Sequence, residues 1–72
     1  MQPKMHPRQI PSDPDALLSE TEVSDLFGIS MRTLQAWRTK KGGPPFVRLG
    51  RVIRYRRKDL VRWLEENTHF AA

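Results

Sequence analysis

Four residues between positions 32 and 39 combine side-chain types and a spacing that suit contact with the edges of DNA bases. On a helix that turns about 100° per residue they share one face; they are Arg32, Gln35, Ala36 and Thr39. Arginine can bond guanine O6 and N7, glutamine can bond adenine N6 and N7, and alanine can touch the thymine methyl group. The alternative is an ordinary solvated helix face.

Cations surround this face. Arg38 and Lys40 lie at its margins and Lys41 at its end, where they suit phosphates, which position a protein on DNA without reading sequence. Ten of the thirteen Lys and Arg residues lie between positions 30 and 58, which contain no Asp or Glu. A solvated helix usually mixes both signs to form i,i+4 pairs. The segregated charge favours a nucleic-acid partner, the alternative being a basic surface kept soluble by its charge.

The elements that position this face begin with a short helix. Ser19 and Glu22 have the spacing of a capping box, in which each satisfies a backbone N–H of the other. Gly28 stands where a left-handed helix cap is needed. The pattern predicts a first helix over Glu20–Phe27.

A second helix follows after a turn of two or three residues. Ser30 is its predicted cap, and Leu34 and Trp37 are its inward-facing residues. The helix is expected over residues 31 to 40, because the GGPP sequence at 42 to 45 cannot continue it. Two short helices joined so closely pack at a steep angle, which predicts a helix-turn-helix arrangement.

The next stretch, FVRLGRVIRY, contains two runs of strand-forming residues separated by Gly50 and Arg51, which suits a type II′ hairpin. Pairing Leu49 with Val52 sorts the side chains onto two faces. One face holds Phe46, Arg48, Ile53 and Tyr55, and the other holds Val47, Leu49, Val52 and Arg54.

This hairpin has the form of a basic wing. Arg51 at its tip is placed to enter a minor groove, whose narrow width concentrates negative potential, and Arg48 and Arg54 are placed to meet the backbone. The alternative for each arginine is an exposed solubilising residue.

The sequence RRKDLVRWLEEN predicts a third helix over residues 57 to 67, with Trp63 in its apolar stripe. Trp37 and Trp63 are expected in the core, and the role of Tyr55 stays open. Residues 1 to 16, which hold four of the six prolines, are predicted to be a flexible arm, residues 17 to 67 a folded domain, and residues 68 to 72 a frayed tail.

The length and composition of the chain exclude several classes of protein. A chain of 72 residues has too little core for an elaborate catalytic cleft. There is no cysteine, and His6 and His69 are too far apart to build a zinc site. No apolar run reaches the roughly 18 residues of a membrane span, and no signal peptide is recognisable. We expect a soluble, cytoplasmic protein that is not an enzyme and holds no cofactor or metal.

In this order the elements resemble the small winged helix-turn-helix domains of the excisionase family, which are related to the DNA-binding part of MerR-type regulators. The resemblance covers residues 17 to 64. It is carried by GIS-xx-TL at 28 to 34, the Pro-Pro pair at 44 and 45, VRLGRVIRYRR at 47 to 57 and DLVRWL at 59 to 64. It implies an α+β, mostly helical fold with three short helices and a two-stranded β-hairpin wing.

The resemblance also implies that the second helix enters the major groove and that the wing meets the adjacent minor groove or backbone. It places Ser30, Arg32, Thr33 and Gln35 at or near DNA, and Arg51 in the wing. Together with the face and its margins, the candidate DNA-binding residues are Ser30, Arg32, Thr33, Gln35, Ala36, Arg38, Thr39, Lys40, Arg48, Arg51 and Arg54.

MerR-type domains usually carry an Arg at the position of Gln35 and an aromatic residue at that of Ala36, so the base contacts are expected to differ here. The sequence also lacks the long dimerisation helix of MerR regulators, so an inducer-sensing switch is not expected.

The implied function is that of a phage or mobile-element protein that binds repeated sites near an attachment site and sets the direction of recombination by an integrase. A single module covers roughly 600–1,000 Å² with modest specificity, so cooperative self-association on DNA or a partner already bound there is expected. Alternatives are a small AlpA-type transcriptional regulator, a protein-interaction adaptor, and an RNA binder. RNA binding is disfavoured because exposed aromatic platforms are missing apart from Tyr55.

Overall fold

The computed structural model describes residues 12 to 70 and has an α+β, winged helix-turn-helix architecture. The elements in chain order are β1 (Leu17–Ser19), α1 (Glu20–Phe27), α2 (Met31–Thr39), β2 (Val47–Leu49), β3 (Val52–Arg56) and α3 (Arg57–Glu66). The strands form one antiparallel sheet in the order β1-β3-β2. The fold class predicted from the sequence is confirmed.

The first helix has the predicted bounds and caps. The backbone N–H of Glu22 donates to Ser19 Oγ at 3.1 Å, and the backbone N–H of Ser19 donates to Glu22 Oε1 at 2.8 Å. This capping box satisfies two N–H groups at the helix start that have no partner within the helix. At the other end Gly28 adopts a left-handed conformation with φ of 72°.

The second helix begins at the predicted cap and ends one residue earlier than predicted. Two backbone hydrogen bonds close it, from Lys41 N–H to Arg38 O at 3.3 Å and from Gly42 N–H to Trp37 O at 2.7 Å. This pattern is a Schellman motif, whose left-handed position is usually glycine. Here that position is Lys41, with φ of 63°. The helix therefore stops by its own cap before the glycines and prolines.

The hairpin register is as predicted, with Leu49 opposite Val52. Gly50 has φ of 66°, and Lys41 is the only described non-glycine residue with positive φ. The turn therefore has positive φ at its first central residue alone, as a type II′ turn requires. Phe46 and Tyr55 share a face as predicted, with ring centroids 6.4 Å apart.

A third strand was not predicted. Leu18 in β1 lies opposite Tyr55 in β3, which makes β3 the central strand of the sheet. A strand of three residues is too short to show alternation in the sequence. Its pairing buries Tyr55 to 1% exposure, which decides the role of that residue: it belongs to the core.

The residues just before β1 contact the start of α3. The backbone N–H of Arg57 donates to Ala16 O, and that of Lys58 donates to Pro14 O, both at 2.9 Å. These bonds fall within the predicted arm, whose first eleven residues lie outside the described part. We therefore propose that the folded domain begins near Asp13. Of the predicted tail, Thr68 Oγ1 donates to Leu64 O at 2.7 Å, and residues 71 and 72 are not described.

The core joins all three helices to the sheet through five buried residues, which are Leu18, Val23, Leu34, Tyr55 and Leu60. The two tryptophans expected in the core are only half-buried, and of these Trp37 packs against the core. Their ring centroids are 5.5 Å apart, and Phe27 stacks on Trp63 at 5.9 Å. They help to line an open apolar hollow of about 570 Å³ with Leu26, Phe27, Ile29 and Leu64. None of the helices in the described region is long and apolar enough to cross a membrane.

Candidate nucleic-acid interface

The outer face of α2 carries the four residues singled out in the sequence, and all four are exposed: Arg32, Gln35, Ala36 and Thr39. Leu34, on the opposite side of the helix, is 1% exposed and anchors α2 in the core. The Oγ1 of Thr39 donates to Gln35 O at 3.0 Å, so its oxygen keeps the capacity to accept. The face therefore offers cationic, amide, methyl and hydroxyl groups to a partner.

The start of α2 is held by Ser30. The backbone N–H of Thr33 donates to Ser30 Oγ at 3.1 Å, and the two hydroxyl oxygens are 3.0 Å apart. Ser30 is exposed and Thr33 is half-buried. This cap leaves other N–H groups of the first turn without partners in the helix, and such groups favour anions.

Arg38 differs from the other candidates because it turns toward the body of the domain. Its guanidinium forms an ion pair with the carboxylate of Glu20, at the first position of α1, and lies 5.8 Å from the ring centroid of Phe46. The hydrogen bond to Glu20 raises the pKa of Arg38, which stays charged. The side chain is 21% exposed. No local sequence pattern indicates this pair, because its members are 18 residues apart.

Glu20 also contacts the outer face. Gln35 Nε2 donates to Glu20 Oε1 at 3.2 Å. One carboxylate therefore holds two side chains of α2. Sequence reasoning missed Glu20 entirely, since it lies outside the basic region.

Lys40 and Lys41 are exposed at the end of α2. Beyond them an open hollow of about 490 Å³ lies along the segment that links the helix end to the wing. Its lining consists of Arg38, Lys41, Gly42, Gly43, Pro44, Pro45 and Phe46. The segment that joins the basic helix to the basic wing thus has a concave surface.

The wing places its three arginines differently. Arg51 is exposed at the tip, and Arg48 is exposed with its guanidinium carbon 5.9 Å from the ring centroid of Phe46. Arg54 is half-buried and donates from Nη1 to Ile53 O at 2.8 Å. Arg51 is therefore the arginine freest to extend from the wing.

Comparison with known families decides the class. A family model described as a helix-turn-helix domain matches residues 17 to 68, a segment that contains all six elements. The chain belongs to the helix-turn-helix domain family. No curated protein matches it. Membership of this family implies that the domain binds DNA.

The charges of this helix-turn-helix domain are arranged to suit DNA. Within residues 12 to 70, the cations in ion pairs are Arg38, with Glu20, Arg56, with Asp59 at 3.2 Å, and Lys58, with Asp15 at 3.4 Å. The other cations of the second helix and the wing have no acidic partner in that part of the chain; they are Arg32, Lys40, Lys41, Arg48, Arg51 and Arg54. Their charge is available to phosphates.

Tyr55 cannot serve this helix-turn-helix domain as a stacking platform for bases. It is 1% exposed, and burial raises the pKa of its hydroxyl, an effect that nearby Arg38 partly opposes. The sheet thus lacks the exposed aromatic side chain on which an RNA-binding sheet depends. This observation favours double-stranded DNA over single-stranded RNA as the partner.

Proposed function

We propose that this domain is a sequence-specific, architectural DNA-binding protein of the excisionase type. It binds repeated sites near the attachment site of a phage or mobile element and sets the direction of integrase-mediated recombination. The observation that supports sequence reading is the exposed outer face of α2, a helix that contains no Asp or Glu. A core anchor on its opposite side, Leu34, leaves that face free to enter a major groove.

In this proposal the outer face reads bases. Arg32 bonds a guanine, Gln35 bonds an adenine, and Ala36 and Thr39 pack close to base edges. Ser30 and Thr33 at the helix start, with Lys40 at its end, contact phosphates and fix the register of the helix on the duplex. Arg38 supports the interface from behind, through Glu20 and Phe46.

The wing is the second part of the interface. Arg51 enters the minor groove next to the major groove that α2 occupies, and Arg48 and Arg54 lie along the backbone. The concave surface of the segment that links α2 to the wing then faces the phosphate strand that separates the two grooves.

Lys41 adds support because its conformation is costly. An L-residue in the left-handed region is disfavoured by about 1–2 kcal/mol, and glycine would relieve that strain. A cation held in this conformation beside the hollow fits a phosphate contact.

The excisionase role rests on the resemblance of residues 17 to 64 and on the small size of the footprint. The helix-turn-helix family to which the chain belongs includes excisionase-like and AlpA-type proteins. A single module reaches only modest specificity. Binding of several copies side by side on repeated sites, or contact with an integrase already on the DNA, would raise the fraction of each site that is occupied.

The test begins with sites selected by the protein from random duplexes. Footprinting should show these sites in repeats beside the attachment site of the mobile element. Excision by the integrase of that element, on a supercoiled plasmid, should rise severalfold when the protein is added, while integration falls. Repeats beside a promoter, with no change in excision, would replace this role with AlpA-type transcriptional regulation.

A second candidate, a protein-interaction adaptor, is favoured by the apolar hollow between the helices. Trp37, which helps to line it, projects from the side of α2 opposite the outer face. Weak DNA binding that ignores sequence would support this candidate over the first.

A further inference from the structure

We infer that Glu20 is a specificity-determining residue, because its carboxylate fixes the side-chain amide of Gln35 in the orientation that reads an adenine on one strand. This inference rests on the proposed function, in which Gln35 faces the major groove. It adds a residue outside the basic region, whose role is to position another side chain.

The chemistry of the contact allows only one orientation of the amide. An ionised carboxylate accepts hydrogen bonds and donates none, so Gln35 can approach Glu20 only with its Nε2. The observed Nε2 to Oε1 distance is 3.2 Å. A glutamine without such a partner exchanges the positions of its oxygen and nitrogen by rotating about one bond. Next to Glu20 that rotation would set an oxygen against a carboxylate.

Glu20 is itself well held. Its other carboxylate oxygen pairs with Arg38, and its side chain is only 16% exposed. It also stands in the first turn of α1, where the helix dipole favours a negative charge. The anchor for Gln35 is therefore fixed before DNA arrives, which reduces the ordering cost of binding.

The fixed amide presents an acceptor and one remaining N–H in a set order. Adenine offers a matching donor at N6 and an acceptor at N7, whereas guanine offers two acceptors and would oppose the oxygen. Turning the base pair over exchanges the positions of these groups. An amide fixed in this orientation therefore selects adenine over thymine on one strand. An amide that rotates freely would bind the A·T and T·A pairs more equally.

The test compares base preferences of the full chain, measured by sequencing the bound fraction of a random duplex pool. The wild-type protein should prefer A·T over T·A at one position by about tenfold, the discrimination expected of a bidentate contact. Gln35→Ala should abolish that preference. Glu20→Gln, which keeps the shape but can also donate, should reduce it to about twofold or less.

Asp25→Asn is the matched control, because it neutralises another carboxylate of α1 at an exposed position and leaves Glu20 facing Gln35. Its preference at that position should stay within about twofold of wild type. Loss in Gln35→Ala with an unchanged preference in Glu20→Gln would overturn the inference alone. An unchanged preference in Gln35→Ala would overturn the base contact in the proposed function as well.

A measurement without DNA covers the case in which Glu20→Gln fails to fold. In the wild-type protein, nuclear magnetic resonance should show one Nε2 proton of Gln35 shifted away from the position it has in an exposed glutamine, because of its bond to the Glu20 carboxylate. Two Nε2 proton shifts equal to those of an exposed glutamine would overturn the inference whatever the DNA data show.

Discussion

Gly43 packs directly against the face of Trp37. A Cβ added at Gly43 would lie 2.7 Å from Cε3 and 2.9 Å from Cβ of Trp37, closer than carbon atoms approach. Gly43 also has φ of 75°. This contact joins the end of α2 to the segment that leads into the wing, so it sets how the two basic elements are placed relative to each other.

Gly43→Ala should therefore lower the free energy of unfolding by about 2–4 kcal/mol, because it adds backbone strain to a clash in a packed contact. Gly42→Ala is the control. A Cβ there would meet only Trp37 O at 3.9 Å, and Gly42 has no positive φ. Thermal melts followed by circular dichroism measure both. Equal losses in the two variants would show that the Trp37 contact is unimportant.

Lys41→Gly should stabilise the domain by about 0.5–1 kcal/mol, because glycine adopts the left-handed conformation without strain. It should also weaken DNA binding and make the slope of log K against log[salt] less steep by about 0.9, the loss of one phosphate contact. Lys40→Gly, at φ of −92°, should instead lower stability. A Lys41→Gly variant that is less stable than the wild-type protein would show that Lys41 is not strained.

Tyr55 should titrate above the ordinary pKa of about 10, because burial disfavours the phenolate. It is the only tyrosine in the chain, so the near-ultraviolet absorbance of tyrosinate reports it directly. The raised pKa means that the neutral form stabilises the fold. This stability is present below pH 10 and is lost as the pH rises through the folded pKa.

The same titration in denaturant supplies the unfolded reference, and Tyr55→Phe should lose this part of the alkaline destabilisation. A folded midpoint at or below that of the unfolded chain would contradict the buried position of Tyr55.

Arg51→Ala should weaken binding to a selected site severalfold and leave the melting temperature unchanged, because Arg51 is exposed at the wing tip. Arg62→Ala removes the same charge from an exposed position on α3 and should have little effect on binding. Fluorescence anisotropy titrations compare the two. Equal losses of affinity in the two variants would show that Arg51 contributes only to net charge and that the wing does not contact DNA.

Sequence patterns that span only a few residues predicted most of the fold. The spacing of Ser19 and Glu22 predicted the start of α1, and Gly50 predicted the turn and thereby the hairpin register. Each depends on local backbone chemistry, which the sequence displays directly. The exposed face of α2 was predicted for the same reason, since the residues that bury one side of a helix determine which residues lie on its exposed side.

Pairings between distant residues could not be predicted. The three residues of β1 form a strand only because β3 lies beside them, and Arg38 meets Glu20 only because α1 and α2 pack together. The left-handed Lys41 was also missed, because that conformation normally indicates glycine. These features arise from tertiary structure, and they modify the candidate site: Arg38 turns inward, and Glu20 joins it.

Sequence reading by the outer face of α2 is tested by the affinity of the Arg32→Ala variant for a selected duplex and for a random one. We expect a loss of about 1–3 kcal/mol on the selected duplex, with relaxed preference at one base pair and little change on random DNA. Lys40→Ala, the phosphate control, should weaken both alike. Equal losses on the two duplexes for Arg32→Ala would show that Arg32 contacts phosphate and that this face does not read bases through it.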